Sequence, residues 1–142
     1  MTSRTVSTAL KREVAERARY CCEYCVSQLR FSPDPFSVEH IVPLAQGGSS
    51  KLRNLALACQ GCNSHKYTAT EAIDPASGLY VSLFHPRRDT WLKHFTWSDD
   101  YSLIIGITPV GRATVVKLKL NRAGIVNLRI VLRSVEEHPP AR

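Results

Sequence analysis

The sequence contains no apolar run long enough to span a bilayer, which argues against a transmembrane helix. Its first residues, Met1-Thr2-Ser3-Arg4, lead into charged residues and not into an apolar signal core, so we expect a cytoplasmic protein. Internal repeats, low-complexity segments and a clear domain boundary are also absent. With 142 residues, of which 44% are apolar and 22% charged, the chain is predicted to form a single globular domain over residues 1–142.

Acidic residues are missing from the stretch between Gly111 and Arg133, although the net charge of the whole chain is +7. A basic surface of this kind neutralises phosphates and releases counterions, so it favours binding to a polyanion. A solvated basic face without a partner explains the charge equally well. The basic residues of this stretch are Arg112, Lys117, Lys119, Arg122, Arg129 and Arg133.

The cysteines do not form the even, dispersed set that is typical of a secreted disulfide protein. Four of the five fall into two C-x-x-C pairs, Cys22/Cys25 and Cys59/Cys62. Four thiolates at this spacing complete a tetrahedral zinc shell with no open position, which predicts a structural zinc site. Cys22 is preferred to Cys21 because it gives both pairs the same two-residue spacer. The alternative is four buried, reduced cysteines without a metal.

Hydrophobic periodicity and turn residues predict an α+β fold. A helix over 7–19, capped by Ser7 or Thr8, leads into the first cysteine pair. We then expect a strand over 36–41, a loop, a strand over 55–58 and a helix over 62–70. Further strands are predicted at 79–84 and 103–107 and a helix at 124–136; for 112–120 both patterns fit, and a helix is favoured.

Three polar residues between the cysteine pairs, and a fourth directly after the second pair, have the chemistry of a second metal site. The Glu39 carboxylate and the Asn63 amide are oxygen ligands suited to magnesium. The His40 imidazole beside such a site is suited to take a proton from water at neutral pH. Asn54 is placed to hydrogen-bond backbone near His40 and to hold its ring. Taken singly, each of these residues is also common on surfaces and in turns.

Taken together, the motifs of residues 17–70 resemble the HNH endonuclease family, and more narrowly its branch with two C-x-x-C zinc knuckles. Order, spacing and residue type agree over this core. Two positions differ from many members, which have Asp in place of Glu39 and His in place of Asn63. The motifs are Cys22-x-x-Cys25, Glu39-His40-Ile41-Val42-Pro43, Gly47-Gly48, Asn54-Leu55, Cys59-x-x-Cys62-Asn63 and Lys66.

The resemblance implies a ββα-metal fold and metal-dependent cleavage of phosphodiester bonds in DNA, most naturally double-stranded DNA. It implies that His40 is the general base and that Glu39 and Asn63 hold one divalent ion, Mg²⁺ or Mn²⁺, against the scissile phosphate. It also implies that Asn54 orients the loop at His40 and that Lys66 contacts a phosphate.

The C-terminal extension, about residues 79–136, is predicted to be small and of mixed α/β structure. His85 and His94 are candidates for extra ligands or phosphate contacts, although packing or simple exposure explains them more readily. Trp91, Phe95 and Trp97 are expected in the core. Backbone contacts to DNA are predicted for Arg87, Arg88, Arg112, Lys119 and Arg122, in addition to Lys66.

Two other functions are compatible with parts of the sequence. A non-catalytic zinc-knuckle module would bind nucleic acid through the basic half of the chain and cleave nothing. A structural zinc domain would bind another protein. Neither needs the set of Glu39, His40 and Asn63, so a DNA-cleaving enzyme is favoured.

Overall fold

The computed structural model of the protein describes residues 6–141, which fall into two compact units. The first unit comprises residues 6–70 together with 85–88, and the second comprises 71–84 together with 89–141. Over the described residues, no helix has both the length and the apolar character needed to cross a membrane.

The first unit has the strand–loop–strand–helix order of a ββα motif. Strands β1 and β2 pair antiparallel, with Glu39 opposite Ala56 and His40 opposite Leu55. Helix α1 packs on both strands, and helix α2 packs against β1. These elements are α1 (Thr8–Arg17), β1 (Ser37–His40), β2 (Leu55–Ala58) and α2 (Gln60–Lys66).

Helix α1 supplies one wall of the small hydrophobic core of the first unit. Ser7 caps its first turn by accepting a hydrogen bond from the Leu10 amide at 3.1 Å. Val14 and Ala18, one helical turn apart, are buried against Leu55 and Leu57 of β2, as the periodicity predicts. This core positions β2, which carries the second cysteine pair at its end.

The first cysteine pair sits in a tight turn directly after α1. The Val26 amide donates to Cys22 O at 3.0 Å, and the Cys22 amide donates to Ser27 O at 2.8 Å. Val26 has a φ of +66°, a left-handed conformation that a β-branched residue rarely adopts. The turn therefore holds a strained residue, and the surrounding contacts must compensate for it.

The second unit combines two strand pairs with three helices in its described residues. β3 pairs antiparallel with β4, and β5 with β6. The stretch 112–120, for which a helix is favoured over a strand, is helical as far as Leu118. Thr108 caps this helix, and Pro109 occupies its first turn. The elements are β3 (Glu71–Ile73), β4 (Tyr80–Ser82), α3 (Trp91–His94), β5 (Phe95–Trp97), β6 (Ile104–Gly106), α4 (Pro109–Leu118) and α5 (Ala123–Ser134).

An aromatic cluster forms part of the interior of the second unit. Phe95 is fully buried, and its ring centroid lies 5.3 Å from that of Phe84 and 5.0 Å from that of Trp91. The Trp97 ring centroid lies 5.5 Å from that of Trp91, and the two ring planes are tilted by 38°. The rings thus pack on one another.

The two units together have the α+β class predicted from the sequence, and the first unit has the ββα order of elements.

Candidate metal centres and active site

The four predicted cysteines converge on one point of the first unit. The Sγ atoms of Cys22, Cys25, Cys59 and Cys62 all lie within 4.8 Å of one another, and all four residues are buried. A zinc ion with four sulfurs at about 2.3 Å gives sulfur–sulfur edges of about 3.8 Å; the Cys25–Cys59 separation is 3.6 Å. Cys21 is not part of this cluster, and its Sγ donates a hydrogen bond to Arg19 O at 3.5 Å.

The donor set fits zinc chemically as well as geometrically. Burial raises the pKa of the Cys22 thiol well above its ordinary value, so thiolates at this spot need a cation beside them. The set also joins distant parts of the chain, because Cys59 follows β2 directly and caps α2 by accepting from the Cys62 amide at 3.4 Å. A closed four-sulfur site here fixes the first knuckle to the β2–α2 junction.

The two residues between Cys22 and Cys25 connect this cluster to the rest of the first unit. Glu23 Oε2 accepts from the Leu57 amide at 2.8 Å, and the Glu23 amide donates to Leu57 O at 2.9 Å. The Tyr24 hydroxyl, fully buried, donates to the Glu39 carboxylate. Sequence reasoning missed both residues, since spacers between zinc ligands carry no signal of their own.

The Glu39 carboxylate is buried between β1 and α2. Lys66 Nζ lies 3.4 Å from its Oε2, and the same ammonium donates to Ile41 O at 2.9 Å. Burial raises the pKa of Glu39, while the positive charge of Lys66 opposes that shift. Lys66 is only 1% exposed, so the predicted phosphate contact does not agree with its position: the ammonium is needed inside, where it compensates a buried acid.

Asn63 lies one turn before Lys66 on α2. Residues three apart share a helix face, so Asn63 lies on the same face of α2 as Lys66, the residue that pairs with Glu39. Within residues 6–141 its side chain forms no hydrogen bond, and it is half-buried. The carboxylate and the amide together offer hard oxygen donors, which fit a divalent ion that keeps several waters or substrate oxygens.

His40 ends β1 and points to a different environment from its neighbour Glu39, as strand alternation requires. Its Nε2 lies 2.9 Å from the Ser50 hydroxyl, and the ring is half-buried. Burial lowers the pKa of His40, which favours the neutral imidazole at pH 7. Although both residues are described, the structure shows no contact between the imidazole and the Glu39 carboxylate.

Asn54 fixes the loop that ends at Ser50. Its Oδ1 accepts from the Val42 amide at 2.9 Å, and its Nδ2 donates to Val42 O at 3.0 Å and to Ser49 O at 2.7 Å. Gly48 is required here, because a Cβ at that position would lie 1.8 Å from Val42 O. Asn54 thus binds backbone on both sides of the loop.

We expect Asn54→Ala to lower the free energy of unfolding of the first unit by about 1–3 kcal/mol, because it leaves the partly buried Val42 amide without its acceptor. Chemical denaturation monitored by circular dichroism measures this. Asn127→Ala, at an exposed position on α5, is the control and should leave stability unchanged. Equal stability of the Asn54 variant and wild type would contradict this role.

The basic residues predicted to contact DNA differ in exposure and in their hydrogen-bond partners. Arg88 and Lys119 are exposed, and Arg87 forms an ion pair with Glu23. Arg122 Nη1 donates to Leu118 O and to Lys119 O, both at 2.9 Å, and so caps the C-terminus of α4.

Arg112 is held by Asp74 of the second unit, with Nε–Oδ1 and Nη2–Oδ2 distances of 2.9 and 3.0 Å. Asp74 is fully buried, and its carboxylate also accepts from Ser77 and from the Ala76 amide. This bidentate pair makes Arg112 a structural residue, because its guanidinium compensates a buried carboxylate.

The Arg112 hydrogen bonds hold the pKa of Asp74 well below its ordinary range. A depressed pKa contributes stability above the unfolded-state pKa of about 3.9, and this contribution is lost as the pH falls towards the folded-state pKa. We therefore expect the difference in melting temperature between wild type and Asp74→Asn to be largest above about pH 5 and to shrink at lower pH. Asp99→Asn, at an exposed position, is the control, and a difference independent of pH would refute the assignment.

Comparison with known families identifies one match. Residues 22–69 match the family model described as HNH endonuclease. No curated protein and no solved structure matches the chain significantly. The matched segment begins at Cys22 and contains all four cysteines of the cluster together with Glu39, His40, Asn54 and Asn63. Turn 85–88 and the second unit lie outside it.

Proposed function

We propose that the HNH endonuclease domain of this chain, residues 22–69, hydrolyses phosphodiester bonds of DNA. The observation that carries the proposal is the arrangement at the end of β1. His40 is held there by Ser50 on one side of the strand, while Glu39 on the other side pairs with α2 beside Asn63. The base and one hard oxygen donor thus lie on β1, and the second donor lies on α2, which packs against that strand.

His40 is the general base of the proposed reaction. A neutral imidazole can take a proton from the attacking water, and burial keeps the ring in that form at pH 7. The Ser50 hydroxyl fixes the ring through Nε2. Such orientation matters because proton transfer needs the acceptor nitrogen within hydrogen-bond reach of the water.

Glu39 and Asn63 are the proposed protein ligands of a catalytic Mg²⁺ or Mn²⁺. When bound, such an ion offsets the negative charge that develops on the phosphate and the leaving oxygen. Tyr24 and Lys66 hold the Glu39 carboxylate in place by its two oxygens. A carboxylate has about four lone-pair sites, so these partners leave capacity for a metal.

Asn54 and the zinc cluster act through position and not through chemistry. Asn54 ties Val42 to Ser49 and thereby places Ser50 against His40. The four cysteines would complete a zinc shell with no open position, which would hold the knuckle against the β2–α2 junction next to Asn63. Double-stranded DNA is the proposed substrate, with Arg88 and Lys119 as exposed candidates for backbone contacts.

A plasmid assay tests the proposal. Purified protein incubated with supercoiled plasmid should convert it to the nicked form in Mg²⁺ or Mn²⁺, and an excess of EDTA should stop the conversion. A zinc-knuckle module that only binds nucleic acid would retain DNA in a salt-sensitive manner. Retention without cleavage under any divalent ion would favour that second function and refute the nuclease.

A further inference from the structure

A short turn outside the family match, His85-Pro86-Arg87-Arg88, belongs to the first unit. The Arg88 amide donates to His85 O at 3.1 Å, and Pro86 occupies the second position of the turn, where its fixed φ is favourable. His85 Nδ1 accepts from the amides of Arg87 and Arg88 at 3.2 and 3.3 Å. The imidazole therefore caps the turn and sets the direction of two consecutive arginines. We call residues 85–88 the HPRR turn.

Arg87 anchors the HPRR turn to the hairpin. Its Nη2 pairs with the Glu23 carboxylate, whose other oxygen accepts from the Leu57 amide of β2. Burial lowers the pKa of Arg87 to about 10, and the nearby charge of Arg17 acts in the same direction. The first unit thus contains more positive charge at this point than Glu23 neutralises.

The HPRR turn closes one side of a cavity of about 510 Å³ within the first unit. Three arginines and His85 line it, and no acidic residue does. The Arg53 and Arg88 side chains are exposed, and among residues 6–141 their guanidinium groups have no hydrogen-bond or ion-pair partner. Arg87 Nε is buried without a partner in the same part of the chain. Unpaired donors of one charge around a concave site favour an anion.

The cavity adjoins the loop that positions His40. Gly47, Gly48, Ser49 and Asn54 form part of its wall. The next residue, Ser50, is the one whose hydroxyl contacts His40 Nε2. Adjacent Cα atoms are about 3.8 Å apart, so an anion in the cavity lies close to the proposed site of cleavage.

We propose that this cavity is a subsite for a backbone phosphate of the DNA strand that is cut. Arg53 and Arg88 contact the phosphate, Arg87 fastens the turn, and His85 is a positioning residue. The inference rests on the proposed nuclease function and adds to it a segment that lies outside the matched family region. Contacts to phosphate carry no base information, so the subsite binds without sequence preference.

The salt dependence of DNA binding tests the subsite. Anisotropy of a fluorescent duplex, measured without added divalent metal and at several NaCl concentrations, gives the slope of log K against log salt. Each phosphate contact contributes about 0.9 to this slope. Because both arginines contact the same phosphate, the Arg53→Ala/Arg88→Ala double variant should reduce the slope by about 0.9, and each single variant by a part of that amount. Arg12→Ala, at an exposed position on α1 outside the cavity, is the matched control and should keep the wild-type slope.

His85 is tested by a conservative rescue. His85→Ala removes the acceptor that orders the turn and should weaken DNA binding several-fold. His85→Asn should restore it, because an Asn side-chain oxygen accepts from the amide two residues on in an Asx turn. Weak binding by the Asn variant, at a melting temperature equal to that of wild type, would overturn the positioning role.

The outcomes separate this subsite from the nuclease proposal. A wild-type slope and a wild-type KM for plasmid cleavage in the Arg53/Arg88 double variant would overturn the subsite and leave the nuclease standing. Reduced slopes in a protein that never cleaves DNA would support the subsite and refute the nuclease. Equal losses in the Arg12 control, or no DNA binding by wild type at low salt, would also overturn the subsite.

Discussion

Replacing Cys62 by serine should leave the first unit without a stable fold. Cys62 is fully buried and supplies one of four sulfurs that lie within 4.8 Å of one another. Structural zinc contributes about 10–16 kcal/mol to folding in small zinc domains, which is as large as the whole net stability of a typical domain, about 5–15 kcal/mol. We expect bound zinc to fall well below equimolar, with loss of helical circular dichroism and of the cooperative transition of this unit.

Cys21→Ser is the matched control for this change. Cys21 is also buried, at 2% exposure, so the substitution places the same hydroxyl in a similar environment. Its sulfur lies outside the cluster and bonds to Arg19 O. The control should keep equimolar zinc and most of its stability. Full zinc content in Cys62→Ser, or loss of zinc in Cys21→Ser, would contradict the assignment of the ligands.

Replacing His40 by alanine should abolish most cleavage while the protein stays folded. A positioned general base contributes about 10²–10⁴-fold to a rate, so the single-turnover rate of plasmid nicking should fall by about that factor. The His40 ring is half-buried at the end of β1 and forms a hydrogen bond with Ser50. His40 lies outside the zinc cluster, so its loss should not release the metal. The measurement is the nicking rate with protein in excess over plasmid.

Zinc content, melting temperature and DNA affinity of the His40 variant provide the controls, and all three should equal those of wild type. Retention of these properties separates loss of the base from loss of the fold, which Cys62→Ser is expected to cause. A His40→Ala protein that nicks plasmid as fast as wild type would refute the role of the imidazole.

Local sequence signals predict the framework of the first unit well. The matched C-x-x-C spacers identify the zinc cluster, since two residues between thiolates are a local geometric requirement. Ser7 and the spacing of Val14 and Ala18 predict α1 for a similar reason, because capping and helical periodicity depend on neighbours in the chain.

The interior partners of the polar residues could not be predicted in this way. Lysine is usually exposed at the surface, yet Lys66 is buried because it pairs with the buried carboxylate of Glu39. Glu23 and Tyr24 occupy positions where many residues would satisfy the zinc spacing, and only the pairing with Leu57 and Glu39 reveals their use. Such roles depend on contacts between distant parts of the chain.

The HPRR turn shows the same limit. The sequence predicts backbone contacts to DNA for both Arg87 and Arg88. The structure gives them different positions, because Arg87 pairs with Glu23 whereas Arg88 is exposed at the cavity. Arg53 carries no motif and is identified only by the cavity that it lines.

The most direct test of two metals with separate roles is to measure bound zinc and plasmid nicking in the same sample while Mg²⁺ is removed and restored. We predict that dialysis into magnesium-free buffer abolishes nicking and leaves zinc equimolar and the fold intact. Restored Mg²⁺ or Mn²⁺ should then recover the full rate. Nicking that persists with zinc alone, or that fails to return with any divalent ion, would contradict a nuclease site on Glu39, His40 and Asn63.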